Sequence, residues 1–89
     1  MKINDGFVLR EIVGEQVIMP AGENITKFDG AVVLNDVSAF IYNTIEANPG
    51  IEADALAEKI TEEYEVDLKT AKKDLVEVLE ELKGYGIIS

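Results

Sequence analysis

The chain contains no cysteine and no histidine, and each absence closes a class of chemistry. Without Cys there is no disulfide framework and no thiolate nucleophile; without His the commonest general base and metal ligand is missing. Carboxylates alone make poor zinc cages, so zinc sites of the usual kinds are excluded. Cationic residues are also scarce: 8 Lys and Arg stand against 18 Asp and Glu, a formal net charge of -10. DNA-binding surfaces draw most of their non-specific affinity from Lys and Arg that displace counterions from phosphates, so this balance argues against nucleic acid as a partner. No apolar run approaches the roughly 20 residues of a membrane span, and the N-terminus lacks the charged-then-apolar pattern of a signal peptide. The expected setting is cytoplasmic, with no membrane partner. At 89 residues the chain has room for one domain, 1–89, around one modest core.

What is present reads as strands first and helices afterwards. Phe7 to Val13 is rich in β-branched and large apolar residues, and Gln16 to Met19 continues in the same style. Gly14-Glu15 between them, with Gly first, predicts a type II′ hairpin turn. Pro20 has no N–H to donate and stops the second strand. Gly22, Glu23 and Asn24 read as loop and Asp29-Gly30 as another turn, before the short uncharged run Ala31-Val32-Val33-Leu34 of a third strand.

Asn35 or Asp36 can cap a first helix, in which Val37, Phe40, Ile41, Thr44 and Ile45 recur at helical spacing up to Asn48-Pro49-Gly50. A second helical pattern runs through Ala53, Leu56, Ala57, Ile60 and Tyr64, with Asp54 near its positive N-terminus. Glu65-Val66 is a tight turn, and Asp67 caps a third helix with the apolar stripe Leu68, Ala71, Leu75, Val78, Leu79 and Leu82. Gly84 offers a left-handed cap, and Tyr85 to Ile88 forms a tail expected to fold back on the core. The predicted fold is α+β, winged helix-turn-helix-like: a three-stranded antiparallel sheet followed by three helices.

At about 100° per residue, the two flanks of the third helix's stripe differ in charge. Lys69, Lys72, Val76 and Lys83 lie on one flank; Asp67, Asp74, Glu77 and Glu81 lie on the other. The plain account is that lysine stems cover the edge of the stripe while the acids solvate the far face. The functional account is a binding lip for an acidic segment, with Val76 as its apolar floor.

Catalytic constellations are missing. Glu62-Glu63 and Glu80-Glu81 fall on polar helix faces, where carboxylates are solvated. Ser38 near Asp36 invites comparison with carrier domains, but those present Asp-Ser-Leu, whereas Val37 and Ala39 flank Ser38 here. The isolated turn glycines make no phosphate-cradling loop. No enzyme activity and no cofactor are expected of the chain alone.

The third strand carries neither charge nor Pro, the usual devices that blunt a sheet edge. If it lies at an edge beside the third helix, an extended peptide can add to it as a further strand. A folded-back tail, or a second copy of the chain in a homodimer, is the competing cover.

Phe7-Val8-Leu9-Arg10-Glu11 with its hairpin, Leu34-Asn35 leading into Ala39-Phe40-Ile41-Tyr42, Glu62-Glu63-Tyr64-Glu65-Val66-Asp67, and the ending Leu82, Gly86-Ile87-Ile88 together resemble the PqqD family, the D-proteins of pyrroloquinoline quinone biosynthesis. That family is the prototype of the precursor-peptide recognition elements. The resemblance covers nearly the whole chain. It implies a peptide-binding module that takes the leader segment of a ribosomally made precursor peptide as a strand added to the third strand. The module then delivers that peptide to a modifying enzyme, often a radical S-adenosylmethionine protein. Carried over by position, the groove would lie between Ala31, Val32, Val33 and Leu34 on one side and Lys69, Lys72, Val76 and Lys83 on the other. One departure is Tyr42, where the family commonly has Trp after Ile; a Tyr suits that core site when its hydroxyl reaches water. The competing reading is a winged-helix transcriptional regulator. It would need a basic N-terminus on the third helix, which Lys69, Lys72 and Lys73 supply in part, but Glu62, Glu63, Glu65 and Asp67 crowd the same turn.

Overall fold

The computed structural model describes residues 1–21 and 31–89. The loop over Gly22 to Asn24 and the Asp29-Gly30 turn expected from the sequence lie outside them. Strands β1 (Phe7–Ile12), β2 (Glu15–Pro20) and β3 (Val32–Leu34) precede helices α1 (Asp36–Ala47), α2 (Ala53–Tyr64) and α3 (Leu68–Gly84). The sheet is antiparallel in the order β1-β2-β3, the winged helix-turn-helix-like α+β arrangement that the residue pattern predicts.

The first hairpin closes one residue earlier than expected. Ile12 pairs with Glu15, so the turn residues are Val13 and Gly14, with φ of 49° and 80°. Two positive φ values make this a type I′ turn rather than II′, which suits the right-handed twist of the flanking strands. The cost falls on Val13, a β-branched residue in the left-handed region.

Alternation along the strands sorts the sheet into two faces. Ile18, Val32 and Leu34 are buried against the helices, with Phe7 and Leu9 packed beside them. Asn35 caps α1, its Oδ1 accepting the Ser38 N–H at 2.8 Å, and Ala39, Ile41, Tyr42 and Ile45 form the buried face of that helix. Leu56, Ala57 and Ile60 of α2 and Ala71, Leu75, Leu79 and Leu82 of α3 complete the core. Full burial of each large aliphatic side chain contributes roughly 1.5–3 kcal/mol. Asp67 caps α3 by accepting the Thr70 N–H at 2.7 Å, and that bond holds its carboxyl below the ordinary carboxylate value.

The end of α3 departs from the predicted Gly84 cap. Gly84 is the last helical residue and the left-handed position belongs to Gly86, φ 75°. Ile87 N–H bonds to Leu82 O and Gly86 N–H to Lys83 O, the paired bonds of a Schellman motif with Gly at its left-handed position. This turn drives Ile87 and Ile88 into the core, as expected of the tail. There the tail pairs with the N-terminal segment: Ile3 bridges Ile88, and Lys2 and Ser89 exchange backbone hydrogen bonds.

Tyr42 breaks a third expectation. Its side chain is fully buried and its hydroxyl has no hydrogen-bond partner among the described residues. Burial, with Glu46 adding to it, pushes the phenol above its ordinary value.

Candidate functional site

The phase of the sheet's hydrogen bonds follows from one contact. Ala21 N–H donates to Gly6 O at 2.8 Å, and in an antiparallel ladder bonded pairs recur every second residue. Val8↔Met19, Arg10↔Val17 and Ile12↔Glu15 are therefore bonded pairs, and Pro20, which has no N–H, falls at an unbonded one. The groups of Gln16 and Ile18 then point the other way, toward β3, where they meet Leu34 and Val32. Val33, opposite Val17, is left with its N–H and C=O aimed at the open side of the sheet, and Ala31 shares that phase. The open stretch ends at Asn35, whose carbonyl already accepts the Ala39 N–H of α1.

Side chains keep to a different alternation. Val32 and Leu34 are 6% exposed and hold β3 on the core, whereas Val33 is 57% exposed and lies on the outer face. β3 is thus anchored by two side chains and turns the backbone of Val33, with Ala31 in the same phase, to the side where no described strand lies.

Helix α3 places its two flanks on opposite sides. Lys72 lies 3.7 Å from Asp54 in the first turn of α2, so the basic flank meets α2. The acidic flank meets the end of β3: a shallow groove of about 230 Å³ is lined by Asn35 and Val37, just past β3, and by Asp74, Glu77 and Val78 of α3. The sequence expectation of a basic lip beside β3 is therefore not what the packing produces. Of the residues expected to make the site, Ala31, Val32, Val33 and Leu34 stand together at the sheet edge. Lys69, Lys72, Val76 and Lys83 are exposed, but their flank is the one turned to α2 and solvent. The apolar residue that α3 does bring to the groove is Val78, half-buried against the core. Periodicity places Val78 in the helix stripe, and spacing alone does not show that it also lines the groove.

Phe40, Asn43, Thr44, Ala47, Asn48, Lys59, Glu62 and Glu63 line an open cleft of about 410 Å³ between α1 and α2, held on one side by the edge-to-face contact of Phe40 with Tyr64. Ser38 is buried in the first turn of α1. No group of three or more His, Cys, Asp or Glu among the described residues is placed to hold a metal ion. No helix among them is long and apolar enough to cross a membrane.

Comparison with known proteins turns on the same sheet and helices. Residues 15–88 match the family described as coenzyme PQQ synthesis protein D, a span that includes β2, β3 and all three helices. The structure of "TbiB1 in Complex with the TbiA(beta) Leader Peptide" superposes with a TM-score of 0.79 at 26% identity, over 100% of this chain and 95% of that one. "Lasso peptide synthetase B1 complexed with the leader peptide" gives 0.75 at 20% identity over 99% and 95%, a likeness of fold. No curated protein sequence matches significantly.

Proposed function

We propose, from the premise that this chain belongs to the PqqD family, that it is a non-catalytic module capturing the leader segment of a ribosomally made precursor peptide. The leader adds as a fourth strand to the open side of β3, alongside α3, and is thereby presented to a modifying enzyme. For that enzyme a radical S-adenosylmethionine protein is the family expectation. The observation that carries this reading is the outward-facing backbone of Val33 on an uncharged edge strand that opens onto a groove. The 26%-identical relative is solved in complex with a leader peptide, which supports a leader peptide as the ligand.

Backbone hydrogen bonds worth roughly 0.5–1.5 kcal/mol each and apolar anchors worth roughly 1.5–3 kcal/mol each favour the added strand, against an ordering cost of about 2–5 kcal/mol and the loss of rigid-body freedom.

The test is panning of a displayed library of random 12-residue peptides on the full chain, then titration calorimetry of the enriched peptide. Binding is expected to protect the Val33 amide from hydrogen exchange and to compete with any β3-to-β3 pairing of two copies. Enrichment of no peptide, or binding that leaves the Val33 amide unprotected, would defeat the proposal.

A further inference from the structure

The acidic flank of α3 specifies what the groove accepts. Asp74 and Glu77 line it, Glu81 follows one turn on along the same flank, and Asp36 precedes the lining residue Val37 in sequence. All four are exposed, and none makes an ion pair with a described residue; the one pair among those residues, Lys72 with Asp54, is on the opposite flank. No described cation pairs with these charges on a chain that already carries -10, and a groove of this kind repels an acidic segment and draws in a basic one.

Resting on the reading above, we propose that the leader segment recognised by this chain is basic. It is an extended stretch with an apolar residue flanked at two-residue spacing by Lys or Arg. The spacing comes from the geometry of strand addition. Alternate side chains of an added strand face the helix side of the sheet, as Val32 and Leu34 do. The central one meets the apolar floor of Val37 and Val78, and those two residues before and after it reach the carboxylates on either side. Lys and Arg also have apolar stems that cover the margin of such a floor while the charged head stays wet.

Two synthetic 12-residue peptides with the same central Leu test this, one carrying Lys and Arg at the flanking inward positions and the other Glu. The basic peptide is expected to bind the full chain at least tenfold more tightly in 20 mM salt, with the difference shrinking in 300 mM salt as the charges are screened. The double variant Asp74→Lys, Glu77→Lys is expected to reverse the preference; both positions are exposed helix sites, so folding, checked by circular dichroism, is retained. Equal binding of both peptides, or preference for the acidic one, with the Val33 amide protected in each case, would overturn the charge inference and leave strand addition standing. Binding of neither peptide up to millimolar concentration would overturn strand addition and the inference with it.

Discussion

β1 and β3 are the two outer strands of the same sheet, yet they are built on opposite plans. β1 is six residues long and carries Arg10 and Glu11 in adjacent positions, both exposed, close to its turn. β3 is three residues long, without charge, and its central residue turns its backbone outward. Charge on an edge strand deters another chain from adding there, because the incoming strand must desolvate or repel it. The deterrent is placed on β1 and omitted from β3, so of the two outer strands described only β3 lacks a charge that would oppose an added strand. The omission is local, since the surrounding surface of α3 is heavily charged.

The difference can be broken at its foundation. Leu34→Ala removes one of the two side chains anchoring β3 and is expected to cost about 2–5 kcal/mol. In hydrogen exchange the amides of Val32 and Leu34 should lose protection before those of the β1–β2 hairpin. Equal loss along all three strands would mean that β3 is not held independently.

A paired proline substitution sharpens the contrast between neighbours on one strand. Val32→Pro deletes a donor to Ile18 and leaves a buried carbonyl unmet, an expected loss of about 1–3 kcal/mol in denaturant unfolding. Val33→Pro removes only an outward donor. It should change stability little and weaken binding of a library-selected peptide at least tenfold, about 1.4 kcal/mol. Glu11→Pro, at an outward position of β1, is the control and should leave affinity unchanged. If Val33→Pro binds as well as the parent, β3 is not the recognition edge.

Both edges rest on one core, whose misfit is Tyr42. Tyr42→Phe removes a buried hydroxyl without a partner and is expected to raise stability by about 1 kcal/mol. The linkage has a definite sign. A phenol whose value is raised by folding favours the native state fully below the ordinary tyrosine value near 10, and that contribution is lost as pH climbs through the raised value. The parent should therefore lose stability above pH ~10 more steeply than Tyr42→Phe, a comparison made by thermal melts across alkaline pH. Equal slopes would place the hydroxyl in contact with water. The smallest effect belongs to the flank of α3 that faces away from β3: Lys72→Glu breaks an exposed ion pair and should alter stability by no more than about 0.5 kcal/mol.

Much of this architecture was legible in the residues. Helical spacing located all three helices, and Asn35 and Asp67 act as the caps their side chains suggest. β3 was readable as an uncharged strand, though it begins at Val32, with Ala31 just outside. The misses share a physical cause, the dominance of tertiary context over local preference. Val13 occupies a left-handed turn position that its own β-branching disfavours, because the register of the strands demands it. Gly84 and Gly86 are equally able to cap α3, and the choice fell to the turn that buries Ile87. Periodicity grouped the residues of α3 into flanks but could not say which flank meets β3. That depends on the rotation of the helix about its axis, which is fixed by contacts with α2 and the sheet.

The pairing of Ile3 with Ile88, reinforced by the Ser89 hydroxyl donating to Asn4 Oδ1 across a separation of 85 residues, has a consequence in time. Hairpins and helices form within microseconds from neighbours in sequence, whereas contacts between distant segments must wait for the intervening chain to be ordered. The clasp, which joins the most distant segments of the described fold, is therefore expected to close late and, on unfolding, to open early. Because it seats Ile87 and Ile88, opening it exposes the interior near the end of α3.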